Sequence, residues 1–194
     1  MKRGFINSYL DVTLLLVVFS LSLFLTIIAF YNYNHFQFTS DMFHHFSAIR
    51  NIYDGFGPYE GPVDQYVLGK HAYLIYYLIA PFLYLYNDPK ILILINIICI
   101  FSSSLLVYFL SKKIIGSLEG NNYISFIIAI LFLINPTIFK GYFYQPYGFQ
   151  PDTLATPFFL GIFIFLLKNK ILPFMLFSLI ILSIKEEFIL ILPA

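Results

Sequence analysis

The sequence predicts an all-α, polytopic membrane protein with five transmembrane helices and one further helix that re-enters the membrane or lies on its surface. Three observations support this prediction. Hydrophobic residues make up 60% of the chain and charged residues only 11%, against about 25% charged residues in soluble domains. Apolar runs of membrane-spanning length recur along the whole chain. Clusters of lysine and arginine flank several of these runs, as they do on the cytoplasmic side of membrane proteins.

The composition also excludes several classes of protein. The net charge is only +1, so the chain has no basic face with which to neutralise the phosphates of a nucleic acid. Cys99 is the single cysteine and stands inside an apolar run, which excludes a disulfide framework and a thiolate metal site. The expected partner is therefore membrane lipid, and Cys99 is expected to be a small buried residue.

The first apolar run, Val12 to Tyr31, is predicted to be an uncleaved membrane anchor. As a helix it would be about 30 Å long, which is the thickness of the hydrocarbon layer. The apolar part of a signal peptide is shorter, and no small-residue cleavage site follows this run. Lys2 and Arg3 precede it, so the N-terminus is expected in the cytoplasm.

Four further runs are predicted to span the membrane, at residues 91–110, 123–139, 153–167 and from 171 onward. The run from His71 to Tyr86 is shorter and contains Pro81. If this short run does not cross, every basic cluster at a span end lies on the cytoplasmic side, where such residues are enriched. These clusters are Lys2/Arg3, Lys112/Lys113 and Lys168/Lys170. Five crossings are therefore favoured over a six-span alternative, and the protein is expected in the cell membrane with external loops at about 32–71 and 141–152.

The first external loop contains the stretch FTSDMFHHFSAIRNIYDGFGPY, from Phe38 to Tyr59. A helix from Asp41 to Tyr53 is predicted, because apolar residues recur there at spacings of three and four. Thr39 or Ser40 is expected to cap its start, and Gly55 to end it. Such a helix would lie on the membrane with its aromatic side down and its carboxylate and imidazoles in water. Its apolar face consists of Met42, Phe46, Ile49 and Tyr53.

Two polar constellations outside the last run are candidates for chemistry. Asp41, His44 and His45 share one face of the predicted helix, a spacing that suits a divalent metal or a proton relay. The structural alternative is a polar face that only contacts water. Asp152 directly precedes a span and either faces the same aqueous pocket as Asp41 or caps the helix that follows it.

The third candidate is Lys185-Glu186-Glu187, which falls inside the last apolar run. Each charge at the centre of a membrane helix costs about 2.5–3.5 kcal/mol on insertion scales, so this helix is expected to need partners. Intramembrane charges generally mark a function or a buried ion pair, and both interpretations stay open. His71, at the start of the short run, is a weaker candidate.

The stretch after the first span is similar to part of a known enzyme class. A helix that carries an aspartate, followed by Gly57-Pro58-Tyr59, resembles the first external loop of GT-C glycosyltransferases, which take sugars from polyprenyl-phosphate carriers. A closer resemblance is to an uncharacterised family of predicted prokaryotic membrane proteins that is thought to share the GT-C fold. Its pattern is matched in order by Asp41, Leu68–His71, Pro81–Tyr84, Phe149–Asp152 and Lys185–Glu187.

The sequence departs from the family pattern at two positions. Gln150 stands where the pattern has histidine, which removes a titratable group, and Glu187 stands where it has aspartate. GT-C proteins have about twice as many spans, so residues 1–194 are expected to form one transmembrane domain, the N-terminal half of a longer module. A C-terminal half or a partner subunit would complete it.

The resemblance implies a hexosyl- or pentosyltransferase that moves a sugar from a polyprenyl-phosphate donor to an external acceptor. It implies that Asp41 is the catalytic residue, as the base that deprotonates the acceptor or as a ligand of a divalent cation. The implied cofactor is Mg²⁺ or Mn²⁺, held by Asp41 and His45. The implied substrate- and donor-binding residues are His71, Asp152, Lys185, Glu186 and Glu187.

Two interpretations of other classes remain open at this point. In a transporter or flippase, the charges at 185–187 would relay ions and Asp41 would gate a pathway. No internal repeat of the transporter kind is visible in the sequence. In a non-catalytic membrane fragment, the same charges would only pair helices with one another.

Overall fold

The computed structural model describes residues 4–69, 71, 73–116, 121–136 and 148–190. The described part contains seven α-helices, which confirms the predicted all-α class. They are α1 Gly4–Asn34, α2 Ser40–Tyr53, α3 Ile75–Ile79, α4 Lys90–Ile115, α5 Asn121–Leu133, α6 Pro151–Leu167 and α7 Ile171–Ile184. Two short antiparallel strands, β1 Tyr59–Glu60 and β2 Gln65–Tyr66, follow α2. Four 3₁₀ turns complete the description, at Gly61–Val63, Val67–Gly69, Ala80–Tyr84 and Glu186–Leu190.

Two of the described helices are long and apolar enough to cross a membrane. They are the parts of α1 and α4 at Tyr9–Asn34 and Lys90–Ile115, each 26 residues long, with mean hydropathies of 2.7 and 2.5. Only 22% of the most apolar stretch of α1 is buried within the protein, so most of its apolar side chains face outward. A soluble core helix would bury that surface, and a lipid environment therefore suits α1 better.

Helix α4 lies at the centre of the bundle and packs against α1, α5 and α6. Its inward side chains include Ile93, Ile97 and Ile100, all nearly inaccessible. The contact with α5 is close because small residues lie there: Ser104 Oγ donates a hydrogen bond to the carbonyl oxygen of Ala129 at 3.2 Å. Small residues at helix interfaces allow this approach in membrane proteins.

The start of α1 and the ends of α4 and α6 meet at one end of the bundle. Lys112 Nζ on α4 lies 3.3 Å from Asp11 Oδ1 on α1. Lys113 Nζ donates to the carbonyl oxygen of Leu167, the last residue of α6, at 2.7 Å. Since Lys168 and Lys170 follow α6 directly, the lysines at the ends of α4 and α6 lie at the same end of the bundle as the start of α1.

Helices α6 and α7 form a tight antiparallel hairpin. A Cβ atom on Gly161 would lie 2.4 Å from Phe177 Cε1, so only glycine lets the ring pack at this point. The turn between the helices has Asn169 at φ 52, a left-handed conformation that asparagine tolerates better than most residues.

Helix α7 ends at Ile184, and Lys185 is extended, with φ −159 and ψ 134. The expectation that the three charges lie inside one continuous last helix is therefore wrong. The backbone leaves the helix before the first charge, and Glu186 and Glu187 begin a 3₁₀ turn.

The short run after His71 forms α3 and the following 3₁₀ turn, from Ile75 to Tyr84. At 1.5 Å per α-helical residue and about 2 Å per 3₁₀ residue, this segment is roughly 18 Å long. A hydrocarbon layer is about 30 Å thick, so the segment is too short to cross it. The predicted span 123–139 and the loop 141–152 extend into residues outside the described part.

Candidate functional site

A cleft of about 410 Å³ lies at the end of the bundle where α4 and α6 begin. It collects residues from three stretches that are far apart in sequence: α2, the segment around β1 and α3, and the start of α6. Its lining is Asp41, His44, His45, Glu60, His71, Tyr73, Gln150, Pro151 and Asp152. Polar and titratable groups dominate this lining, so the cleft is suited to a polar or charged ligand.

Helix α2 begins and ends close to where the sequence predicts. Phe56 N–H bonds to Asn51 O at 2.8 Å and Gly55 N–H to Ile52 O at 3.1 Å, while Gly55 has φ +88. These bonds define a Schellman end, in which a left-handed glycine closes the helix. The predicted cap at the start is wrong for Thr39, which holds the N-cap position without a side-chain hydrogen bond.

The orientation of α2 also differs from the prediction. Met42 and Ile49 are fully buried because α2 packs against α3 and the turns around it. The apolar face of α2 therefore contacts protein rather than membrane, and His45 is carried under neighbouring aromatic rings rather than into water. Asp41 alone of the three polar candidates on α2 is exposed.

His45 occupies an aromatic enclosure. Its Nδ1 lies 2.5 Å from the hydroxyl oxygen of Tyr76, and its ring makes edge contacts with Tyr73 and Phe149 at centroid distances of 5.9 and 5.7 Å. Burial lowers the pKa of His45 from 6.5 to about 4; the Asp41 carboxylate opposes the shift and His44 adds to it. His45 is therefore neutral at pH 7.

The segment that carries Asp152 is held against α2 by Gly148. This glycine has φ +68, and a Cβ atom there would lie 2.6 Å from Met42 Sδ. Asn96 Nδ2 on α4 donates to Gly148 O at 3.3 Å, and the Thr153 hydroxyl bonds to Asn96 Oδ1. Asp152 lies in the first turn of α6, where the helix dipole favours a negative charge.

The charges at 185–187 reach the same region. Lys185 Nζ lies 3.6 Å from Asp152 Oδ2 and 3.4 Å from Glu187 Oε2. The Lys185 side chain is 18% exposed, but the two carboxylates are 51% and 63% exposed. Water screens such pairs, so they position the side chains more than they stabilise the fold. Glu186 Oε1 lies 3.3 Å from His71 Nδ1.

Two sets of residues offer metal-ligand chemistry. Among the described residues, His71, Glu186 and Glu187 each place one donor atom within 4.8 Å of the others. Asp41 and His45, the pair that the sequence predicts, are one helical turn apart on the cleft wall. Since His45 Nδ1 is engaged with Tyr76, its Nε2 is the nitrogen that remains for any ligand.

The structure brings together all the candidate residues that the sequence predicts. Asp41, His45, His71 and Asp152 line the cleft, and the other three contact its rim: Lys185 through Asp152, Glu186 through His71, and Glu187 through Lys185. His44, left open by its spacing, also lines it.

Sequence reasoning missed three residues that shape the cleft, Glu60, Tyr73 and Tyr76, and gave Phe149 no role beyond its place in the motif Phe149–Asp152. Glu60 is only 6% exposed, yet it follows a turn-rich stretch in which a solvated glutamate is the ordinary expectation. Tyr73 and Tyr76 stack at 5.3 Å. Their spacing of three residues is the only feature of the sequence that points to this pair. It is a weak signal, because the chain contains 16 tyrosines.

Comparisons with known proteins assign the chain to a family. Residues 11–194 match the family described as "Predicted membrane protein (DUF2079)". No curated protein and no solved structure matches the chain. The match covers nearly the whole sequence and agrees with the two membrane-length apolar helices and the outward apolar surface of α1. The chain therefore belongs to the DUF2079 family of predicted membrane proteins.

Proposed function

We propose that this protein is a GT-C-like membrane glycosyltransferase that moves a sugar from a polyprenyl-phosphate carrier to an external acceptor. One observation carries the proposal. The sequence motifs that carry the resemblance are spread from Asp41 to Glu187, and their polar residues meet at one cleft or its rim. A bundle whose charges only paired helices would not need to collect them around an open space of about 410 Å³.

Asp41 is the proposed base. It is the exposed carboxylate on the α2 wall of the cleft, so it is accessible to an acceptor hydroxyl, as general base catalysis requires. Its carboxylate takes the hydroxyl proton as the acceptor oxygen bonds to the sugar and the bond from the sugar to the carrier phosphate breaks. Lys185 would then neutralise the departing phosphate, with Asp152 and Glu187 holding its ammonium in place.

The alternative role of Asp41 in this proposal is to hold a divalent cation, Mg²⁺ or Mn²⁺, together with His45. Such a site needs His45 to carry its proton on Nδ1 and donate it to the Tyr76 oxygen, so that the Nε2 lone pair is free. The contact between Nδ1 and the Tyr76 oxygen is compatible with this tautomer. The neutral state of His45 favours it as well, because a protonated imidazole binds no metal.

The proposed location of the protein is the cell membrane, with several crossings, a cytoplasmic N-terminus and an external cleft. Two observations support it. The lysines that end α4 and α6 share one end of the bundle with the start of α1, and the cleft lies at the opposite end. The segment Ile75–Tyr84 is too short to cross the membrane, which favours five crossings over six.

Asp41→Asn in the full-length protein tests the transferase proposal. Transfer of radiolabelled sugar from lipid carrier to acceptor would be measured in membranes that contain equal amounts of each variant. We expect a loss of about 10²–10⁴-fold, the contribution of a general base. Asp54→Asn is the matched control, since Asp54 follows the same helix but pairs with Arg50 outside the cleft lining. Transfer retained by Asp41→Asn would refute the assignment.

A transporter is the second candidate, and one observation favours it. Helix α7 breaks at Lys185 into extended backbone beside the Asp152 carboxylate. Broken helices of this kind form ion and substrate sites in transporters. Uptake of a solute by proteoliposomes that contain no lipid-linked sugar would support this candidate. The absence of uptake, together with sugar transfer in the assay above, would exclude it.

A further inference from the structure

We propose that His71, Glu186 and Glu187 form a binding site for a divalent transition-metal cation, separate from the pair Asp41 and His45. One imidazole nitrogen and two carboxylate oxygens are the donors. The proposal rests on the geometry of these donors and not on the transfer reaction, so each can fail without the other.

One pair of donors lies at the distance of ligands that share an ion, and the third donor is nearby. Bonds of about 2.0–2.2 Å from nitrogen and oxygen to such a cation place neighbouring ligand atoms roughly 2.8–3.6 Å apart at octahedral or tetrahedral angles. His71 Nδ1 and Glu186 Oε1 are 3.3 Å apart, inside this range. All three donors lie within 4.8 Å of one another. A small rotation of the flexible glutamate side chains would therefore bring all three to bonding distance of one ion.

The local charge also favours a cation. Glu186, Glu187 and Asp152 carry three negative charges, and Lys185 carries one positive charge. With a neutral His71 the sum is −3 + 1 = −2. Lys185 neutralises only part of this charge, because its one ammonium is shared between Asp152 and Glu187.

The fold holds the donors in place from two sides. His71 lies a few residues before α3, and its ring packs against Tyr73 with centroids 5.2 Å apart. The glutamates begin the 3₁₀ turn Glu186–Leu190, and the Lys185–Asp152 contact ties the residue before that turn to α6. The segment before α3 and the turn after α7 thus bring together His71 and Glu186, which are 115 residues apart in sequence.

The donor set indicates which cations fit. Imidazole suits Zn²⁺ and other transition metals, while carboxylates also suit Mn²⁺. Three protein ligands leave at least one coordination position for water or substrate, as in catalytic rather than structural metal sites. The side chains of His71 and Glu186 are 36% and 48% exposed, and His71 also lines the cleft, so the open position is accessible from it.

Lys185 competes with the ion for Glu187. Its ammonium lies 3.4 Å from Glu187 Oε2, and a divalent cation bound to the same carboxylate would be repelled by it. Removal of the ammonium is therefore expected to tighten metal binding, which is the opposite of what a general disturbance of the fold would do.

The test is a titration of the purified full-length protein in detergent with Mn²⁺, in which free Mn²⁺ is measured by electron paramagnetic resonance. We expect one Mn²⁺ ion at this site, besides any ion held by Asp41 and His45, and for this ion a dissociation constant at least about tenfold higher in His71→Ala and in Glu187→Gln, since loss even of outer ligand contacts costs about 10–100-fold. We expect Lys185→Met to bind more tightly and Asp54→Asn to bind as the unaltered protein does.

Three results would overturn the proposal. They are no binding of Mn²⁺ by the unaltered protein, unchanged affinity in both His71→Ala and Glu187→Gln, and weaker binding in Lys185→Met. Asp41→Asn and His45→Gln separate the two metal sites: loss of the ion in these variants alone would place it on α2 and exclude the site at His71.

Discussion

Replacement of Gly148 by alanine tests whether the segment before α6 is seated on α2 as the structure describes. Gly148 has φ +68, and an added Cβ would lie 2.6 Å from Met42 Sδ and 3.3 Å from Phe38 Cδ2. Gly55 is the matched control within the same chain. It has φ +88, but nothing lies within 4 Å of its added Cβ. The two substitutions therefore share backbone strain and differ in the steric clash.

The magnitudes follow from these two terms. A left-handed conformation costs an alanine about 1–2 kcal/mol, and this is the whole expected cost of Gly55→Ala. Overpacking adds about 1–3 kcal/mol at Gly148 only. The sum for Gly148→Ala is therefore about 2–5 kcal/mol. For a chain of this size, each kcal/mol lowers the Tm by about 2–4 °C, so Gly148→Ala is expected to melt several degrees below Gly55→Ala.

The assay is thermal unfolding in detergent, followed with a thiol-reactive fluorophore. Cys99 is the single cysteine and belongs to α4, so its reaction reports the opening of the bundle. In a Met42→Ala background the sulfur atom is absent, and the excess cost of Gly148→Ala should shrink towards that of Gly55→Ala. Equal Tm values for the two glycine variants in the unaltered background would refute the described contact between Gly148 and Met42.

Two further predictions follow from the buried polar groups around the cleft. Because the pKa of His45 is lowered to about 4, the unfolded chain binds a proton below about pH 6.5 that the folded chain does not. The contribution of His45 to the free energy of unfolding is therefore fully present above about pH 6.5 and is lost as the pH drops from about 6.5 to 4, by up to about 3 kcal/mol. The Tm should fall less over this pH range in His45→Gln than in the unaltered protein. Asn96→Leu removes the side-chain donor to the buried carbonyl of Gly148, while the Thr153 hydroxyl keeps its bond to the Gln150 carbonyl; loss of the donor should cost about 1–3 kcal/mol. The same thermal assay measures this loss, and an unchanged Tm would contradict the described network.

Local features of the fold could be predicted from the sequence. The extent of α2 follows from apolar spacing and from Gly55, because helix periodicity and a left-handed glycine act within a few residues. The apolar runs in α1 and α4 are equally local signals. The shared location of Asp41 and Asp152 followed from charge placement along the chain, since lysines at span ends indicate which ends of the helices lie together.

The surroundings of the cleft could not be predicted, because they depend on contacts between distant residues. His45 looks solvated on a helical wheel, but Tyr76 and Phe149 enclose it only after α3 and the start of α6 have packed. The end of α7 at Ile184 was missed for a different reason. The hydropathy of the sequence shows that residues 185–187 are charged. It does not show at which residue the helix ends.

The contact between His71 and Glu186 has a consequence for the order of events at the ribosome. The two residues are 115 positions apart, and chains grow at about 5–20 residues per second. Roughly 6–23 s therefore separate the synthesis of His71 from that of its partner. Throughout this interval α2 and His71 are present in the nascent chain, but Glu186 and Glu187 are not. Binding or catalysis that needs residues from both stretches therefore begins only after Glu186 has been synthesised. The incomplete nascent chain cannot carry it out.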